Sequence, residues 1–113
     1  MITALIILHA APGMENPRAD TAVRLAGAML AEDKDVRLFL VGQGVLLLRD
    51  IDTAQDSTST LLRELLELGL TIQCCSSSLK TQELDRELPL GVAKSSMRGL
   101  SAWISEADEV VCF

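Results

Sequence analysis

"LTIQCCSSSL", residues 70–79, is the stretch that decides the fold of this chain and any chemistry it performs. Leu70, Thr71 and Ile72 favour a strand, because their side chains suit a pleated, half-buried surface. Two cysteines and three serines follow, and Leu79 opens a more helical segment. We therefore predict a strand, a polar turn and a helix. Ligands gather at the carboxyl ends of strands in α/β proteins, and a nearby helix N-terminus favours a thiolate.

Cys74 and Cys75 are the candidate catalytic residues, and their adjacent positions give them different surroundings. Side chains alternate between the faces of a strand, so Cys74 shares the face of Ile72 and Cys75 shares that of Gln73. The first face is apolar and the second more polar. We therefore expect Cys74 to be largely buried and Cys75 to point towards solvent or a subunit boundary. Because free cysteines often act as small buried hydrophobes, purely structural cysteines are the alternative.

Three serines and one histidine are the candidate pocket residues. Ser76, Ser77 and Ser78 either cap the next helix or form a turn, and they could equally donate hydrogen bonds to a sulfur anion. His9 lies just past the first predicted strand, so it is placed to face the same pocket as the cysteines. A satisfied, partly buried histidine is the alternative interpretation.

Outside this stretch, apolar runs of strand length alternate with segments of helical periodicity. The run at residues 2–8 is continuously apolar, which is typical of a parallel strand buried on both faces. The other predicted strands cover residues 36–41, 92–94 and 110–113, beside the one at 70–75. The first predicted helix begins at Asn16 and Pro17 and ends in the charged cluster at 32–35. Further helices are predicted at residues 61–68, 79–88 and 97–107, and an exposed loop at 50–60. This alternation predicts one α/β domain over residues 1–113, with a mostly parallel sheet covered on both faces.

Charge and composition exclude several classes of function. The formal net charge is −6, and no two basic residues are adjacent. Both features argue against binding to nucleic acid or to anionic membranes. The apolar run at residues 2–8 is too short to cross a bilayer and lacks the features of a signal peptide. We therefore expect a reduced, cytoplasmic protein.

No metal site or cofactor is predicted. Three cysteines and one histidine match neither a disulfide framework nor the spacing of zinc ligands. Gly42-Gln43-Gly44 lacks the third glycine of a dinucleotide fingerprint, so we interpret it as a turn. Cys112 lies in the last apolar strand and is most simply a core residue.

Self-association is expected from the composition. Hydrophobic residues make up 49% of a chain of only 113 residues. A monomer of this size would leave apolar area exposed, and exposed apolar patches commonly mark interfaces. The candidate interface residues are Trp103 and the run VLLL at 45–48.

Four segments, in order along the chain, carry a resemblance to a known family. They are HAAPGMENPRADTAVRLAGAM at 9–29, VRLFLVGQGV at 36–45, LLRELLELGLTIQCCSSSL at 61–79 and LSAWISEADEVVCF at 100–113. Together they resemble the DsrE/DsrF-like family, which includes the sulfur-relay proteins DsrE and TusD, and they are most similar to its YchN-like members. The resemblance implies a three-layer α/β/α sandwich around a five-stranded parallel sheet, and assembly into a homo-oligomer, either trimer or hexamer.

The resemblance also implies a sulfur-accepting cysteine, although it points to both thiols. In DsrE and TusD that cysteine lies five residues before the following helix, which by spacing to Leu79 is Cys74. YchN-like members carry a C-x-x-C pair, in which Cys75 matches the first cysteine and Ser78 replaces the second. The replacement rules out disulfide exchange through such a pair and leaves a carrier with one persulfide.

Two functions follow as hypotheses. In the first, a thiolate of Cys74 or Cys75 attacks a donor persulfide, and an acceptor thiol later removes the sulfur, so that donor and acceptor proteins are the partners. Whether such a carrier acts as an enzyme stays open. In the second, the protein is a non-enzymatic oligomeric binding or assembly protein. Its cysteines are then packing residues, and residues 50–60 contact a ligand or a partner.

Overall fold

A sheet of five strands forms the centre of the molecule in the computed structural model, which describes residues 1–13 and 15–113. The strands are β1 (Thr3–Leu8), β2 (Asp35–Leu40), β3 (Thr71–Cys75), β4 (Val92–Ser95) and β5 (Glu109–Cys112). They lie in the order β4-β3-β2-β1-β5, and every neighbouring pair is parallel. The predicted parallel sheet is confirmed.

Helices cover both faces of the sheet. Within the described residues they are α1 (Arg18–Ala31), α2 (Ser57–Glu67), α3 (Ser76–Thr81) and α4 (Met97–Glu106), with a 3₁₀ segment at Gly42–Leu48. α1 and α2 pack against each other on one face, and α4 lies on the other. The predicted three-layer α/β/α sandwich is therefore confirmed, with most of its helical mass on one side.

The two faces of the sheet bury unequal apolar cores. Ala4, Ile6 and Leu8 of β1 point to the α1 and α2 side, where they join the main core. Leu5, between them in the sequence, points to the α4 side and joins a small cluster with Phe39. Side-chain alternation along continuously apolar strands produces both cores.

The region of residues 50–60 is only partly the exposed loop that its polar composition predicts. α2 begins at Ser57, because the carboxylate of Asp56 accepts a hydrogen bond from the Ser59 N–H at 3.0 Å and caps the helix. Ile51 is buried. The Arg63 guanidinium donates to the carbonyl oxygens of residues 51 and 54, at 2.7 Å each, and fixes the loop against α2.

Three expectations about exposure are wrong. Most of the VLLL run at 45–48 is buried, as is Trp103, so neither is an exposed interface in this chain. Cys112, expected in the core, is exposed on the edge strand β5. The exposed large apolar residues near α4 are instead Met97, Ile104 and Val110. Trp103 is buried because the rotation of α4 turns its indole towards the sheet and leaves Met97 and Ile104 exposed.

None of the helices described is long and apolar enough to cross a membrane. Among residues 1–13 and 15–113, no three potential metal-ligating side chains come together.

Candidate functional site

Three neighbouring strand ends bring the candidate residues to one edge of the sheet. His9 follows β1, Gly42 follows β2 and Cys75 ends β3. Since β1, β2 and β3 are adjacent and parallel, their carboxyl ends lie side by side. The crevice at the carboxyl ends of strands is where open α/β sheets place their ligands.

Cys74 is a core residue. Its side chain is 0% exposed and lies in the main core, as the alternation of β3 predicts. The Sγ atom donates a weak hydrogen bond to the Ala93 carbonyl oxygen at 3.5 Å. Burial raises the pKa of the Cys74 thiol to about 11, although the charge of Lys94 acts in the opposite direction. A buried thiol that stays protonated at neutral pH is a poor nucleophile.

Cys75 points to the opposite face, but α4 shields it from the solvent it was expected to reach. Its side chain is 7% exposed, compared with 0% for Cys74, and it packs in the small cluster with Phe39 and Trp103. Cys75 is thus the more accessible of the two adjacent thiols, as predicted. The expectation that it points towards solvent is wrong for this chain, and a position at a subunit boundary stays a prediction. The polar character of the Thr71 and Gln73 face could not reveal that a helix crosses it.

The pKa of Cys75 is shifted in the opposite direction from that of Cys74. Burial alone would raise it, but hydrogen-bond donors on Ser78 and Ser77 outweigh that effect and lower the pKa of the thiol. The donors are the hydroxyl and N–H of Ser78 and the N–H and hydroxyl of Ser77. Cys75 is the N-cap residue of α3, and its sulfur makes no capping hydrogen bond of normal geometry. The donors therefore act by stabilising the anionic form.

α3 begins directly after the strand, which changes how the serines are interpreted. The predicted polar turn before Leu79 is wrong, because Ser76, Ser77 and Ser78 form the first turn of α3. The helix start also removes the spacing argument for Cys74, since the position five residues before Ser76 is Thr71. Ser76 is not among the donors that shift the pKa of the neighbouring thiol.

Gly42 sets the orientation of the Ser78 hydroxyl. The Gly42 N–H donates a hydrogen bond to Ser78 Oγ at 2.8 Å. Because Ser78 Oγ accepts this bond through one of its lone pairs, its own proton remains available for donation to the Cys75 sulfur. Gly42 has a φ of +59°, which its N–H position requires and which glycine adopts without strain.

His9 lies on the other side of Gly42. A Cβ atom at Gly42 would be only 2.7 Å from His9 Nε2, so the imidazole occupies the space that a side chain would need. His9 is exposed, and its imidazole has no hydrogen-bond partner among the residues that the structure describes. His9 lines a cavity that neither cysteine lines, and it adjoins the thiol site only across Gly42. The alternative of a satisfied, partly buried histidine does not hold.

The structure thus joins most of the predicted site residues and adds one that sequence reasoning missed. Cys75, Ser77 and Ser78 lie together, and His9 adjoins them through Gly42. Gly42 had been interpreted only as a turn residue. Its Gly-x-Gly context signalled an unusual backbone, but not a contact with a serine 36 positions away.

Two cavities open at this end of the sheet. One, of about 580 Å³, is lined by His9, Gln43, Arg18 and the turn at residues 10–13. The other, of about 600 Å³, lies between the turn after β1 and the start of α2. Both volumes are in the range of small-molecule sites.

The structure is thus that of an α/β protein with a parallel sheet and a cysteine, Cys75, at the carboxyl end of one of its strands. The profile of the DsrE/DsrF-like family matches residues 3–113, and the chain belongs to that family.

The chain is also similar to two curated proteins and, in fold, to solved structures. The chain is 30% identical to the uncharacterized protein MK0008 of Methanopyrus kandleri, over 99% of this chain and 93% of that protein. It is 32% identical to the uncharacterized protein MJ0989 of Methanocaldococcus jannaschii, over 96% of each. The fold is similar to that of the ychN protein from E. coli, with a TM-score of 0.85, 24% identity and full coverage of both chains. The protein MTH1491 of Methanobacterium thermoautotrophicum also has this fold, with a TM-score of 0.75, 18% identity and full coverage of both chains.

Proposed function

We propose that this protein carries sulfur as a persulfide on Cys75. The single observation that carries the proposal is the set of serine donors around Cys75, which lowers the pKa of that thiol although it is buried. A larger thiolate fraction near neutral pH favours attack on a donor persulfide. Cys74 serves as packing, because its pKa of about 11 leaves it protonated.

The transfer forms one S–S bond and breaks another. The Cys75 thiolate attacks the outer sulfur of a donor R–S–SH, the donor's S–S bond breaks, and the donor leaves as a thiolate. Cys75 then holds the sulfur as –S–SH. An acceptor thiolate attacks that outer sulfur in turn and releases the Cys75 thiolate. No electrons are gained or lost overall, and the setting that suits this exchange is the reduced cytoplasm.

Ser78 at the position of a second C-x-x-C cysteine supports a carrier over a disulfide exchanger. A hydroxyl cannot resolve a persulfide on Cys75 into an internal disulfide. Cys74 cannot do so readily either, because it lies on the opposite face of the strand and is fully buried. A sulfur on Cys75 therefore leaves only to an external thiol, which implies separate donor and acceptor proteins.

Intact-mass analysis after exposure to a persulfide donor tests the proposal. The Cys112→Ser variant, which lacks the exposed thiol, should gain the mass of one sulfur atom, and peptide mapping should place it on Cys75. The Cys75→Ser, Cys112→Ser double variant should gain none. An adduct that survives in the double variant, or no adduct in the single variant, would contradict the proposal.

A second candidate function is that of a binding protein whose ligand contacts residues 50–60. The cavity of about 600 Å³ favours it, because Asp50, Ala54 and Asp56 of that region line its wall. In this case the thiols are structural and Cys75 should be as inert to alkylation in the native protein as Cys74. One fast-reacting thiol at Cys75 would exclude this alternative as the account of the cysteines.

We also propose that the protein self-associates through the α4 side. Met97, Ile104 and Val110 are 53%, 44% and 43% exposed there, on the face that only one helix covers. Burying such apolar surface favours association. Sedimentation should detect a trimer or hexamer at micromolar concentration, and Ile104→Glu should shift it towards the monomer. A monomer in the unchanged protein would remove this proposal.

A further inference from the structure

We propose that His9 exchanges the proton of the thiol that delivers sulfur to Cys75 or removes it. The inference rests on the proposed persulfide function and assigns the acid–base group of the same site. It concerns a residue outside the strand and helix that hold the cysteine.

The His9 imidazole lies beside Gly42, at the carboxyl end of the sheet. His9 is exposed at the carboxyl end of β1, and its ring fills the space beside Gly42. The Gly42 N–H bonds to Ser78 Oγ at 2.8 Å, and Ser78 is a donor to the Cys75 sulfur. The imidazole is therefore one residue removed from the group that contacts the thiolate. The imidazole therefore adjoins Gly42 and is not in direct contact with the Cys75 sulfur.

The nitrogens of the His9 imidazole are available for hydrogen bonding to a ligand. Among the described residues its nitrogens have no hydrogen-bond partner, so both are available to an incoming molecule. Imidazole is also the side chain that gains and loses protons most readily near neutral pH.

A cavity beside His9 supplies room for the reacting thiol. It measures about 580 Å³, and its lining includes His9 and Gln43, the residue next to Gly42. A persulfide extends the Cys75 side chain by one S–S bond of about 2.05 Å. Neither cysteine lines this cavity, so the proposal requires the incoming thiol to span from the imidazole to the outer sulfur of Cys75.

In the proposed cycle, His9 supplies and accepts the protons of the transferring thiols. During delivery, the donor leaves as R–S⁻ and takes a proton from the His9 imidazolium to become R–SH. During removal, the acceptor R–SH gives its proton to the neutral His9 imidazole and attacks the outer sulfur as R–S⁻. The Cys75 thiolate is released, and His9 is again imidazolium. One full cycle therefore returns both residues to their starting forms.

The test compares two acceptor thiols on protein preloaded with one sulfur in the Cys112→Ser background. Transfer from Cys75 is followed by mass at pH 7 for His9→Gln, with Thr21→Ala, at an exposed position of α1 that lines neither cavity, as the control. For an alkyl thiol, only a few per cent is ionised at this pH, so loss of the base should slow transfer about tenfold. An aromatic thiol, already largely ionised, should react at the unchanged rate in both variants. Added imidazole should restore the alkyl reaction in His9→Ala.

The rates with the two thiols separate the role of His9 from the persulfide function of Cys75. Slower transfer to the alkyl thiol alone supports the assignment of His9. Equal rates for His9→Gln and the unchanged protein with both thiols overturn it and leave the persulfide function standing. An equal slowing with both thiols also overturns it, because a structural effect does not depend on acceptor ionisation. Failure of the unchanged Cys75 to take up sulfur overturns the proposed function and this inference together.

Discussion

Cys74 and Cys75 are neighbours in the sequence, yet they lie in two different regions of the molecule. Cys74 belongs to the main core under α1 and α2, whereas Cys75 belongs to the small cluster under α4. Burial raises the pKa of the first thiol to about 11, while serine donors lower that of the second. The comparison shows that burial does not have to raise the pKa of a thiol when hydrogen-bond donors beside it stabilise the thiolate.

The two regions also differ in how securely they are covered. The main core around Cys74 draws side chains from α1, α2, α3 and the 3₁₀ segment, while α4, chiefly through Trp103, is the one described helix that contributes to the small cluster around Cys75. We expect the cover over Cys75 to be the easier one to open.

Trp103→Ala should remove the main cover of Cys75. The indole packs edge to face on Phe39, with ring centroids 6.3 Å apart, and the Arg37 guanidinium lies 5.5 Å above it. The free energy of unfolding should fall by about 3–5 kcal/mol, as for other buried Trp truncations. In native protein, alkylation of Cys75 should accelerate while that of Cys74 stays slow. Ser105→Ala, at an exposed α4 position outside the proposed interface, should change neither quantity appreciably, and a matching effect there would undermine the contrast.

The raised pKa of Cys74 should make the protein sensitive to alkaline pH. Because the folded thiol ionises near pH 11 and the unfolded one near pH 9, the unfolded state loses its proton first. Stability is therefore full below about pH 9 and falls as the pH rises towards 11, by at most about 2–3 kcal/mol. Denaturant unfolding of Cys74→Ala should show a smaller alkaline loss than the unchanged protein.

Cys75→Ala is the matched control for this effect. A lowered folded pKa has the opposite sign, so Cys75 contributes stability that is present above the unfolded pKa and is lost as the pH falls through the folded one. Its removal should not relieve the alkaline loss. Equal relief in both variants would show that the two thiols share one environment.

Gly42→Ala should disturb both the turn and the thiol. The φ of +59° costs a residue with a side chain about 1–2 kcal/mol, and the new Cβ would displace the His9 imidazole. Any shift of the Gly42 N–H releases the Ser78 hydroxyl, so the pKa of Cys75 should rise. Gly13→Ala, where a Cβ meets no atom within 4 Å, should leave the thiol unaltered. An unchanged Cys75 alkylation rate in Gly42→Ala would separate the turn from the site.

Ser78→Ala should raise the pKa of Cys75 without opening its cover. One hydrogen bond to a charged group contributes about 1.5–3 kcal/mol, so the alkylation rate at neutral pH should fall by at least about tenfold. Ser76→Ala, in the same turn but not among the donors, should react like the unchanged protein. Equal rates for the two serine variants would show that the Ser78 hydroxyl does not stabilise the thiolate.

The fold could be predicted because its signals are local. The apolar run at residues 2–8 and the periodicity of 61–68 each report one element, and their alternation implies the parallel sheet. The assignment of Cys74 to the core face needed only the alternation of a strand. These features depend on neighbours in the sequence, so no tertiary information was required.

The site was less predictable because it joins distant parts of the chain. The contact between Gly42 and Ser78 spans 36 positions, and no periodicity reports it. The cover over Cys75 depends on the rotation of α4, which buries Trp103 and leaves Met97 and Ile104 exposed. The start of α3 at Ser76 was missed since serines favour turns and helix caps equally.

The most direct test of the central contrast is the pH dependence of alkylation of the native Cys112→Ser protein, with the modified peptides resolved by mass. The account predicts that Cys75 reacts first, with a rate that rises through a pKa below that of an ordinary cysteine. Cys74 should stay unmodified until the pH approaches 11 or the protein unfolds. Preferential modification of Cys74, or one shared pKa for both thiols, would contradict the account.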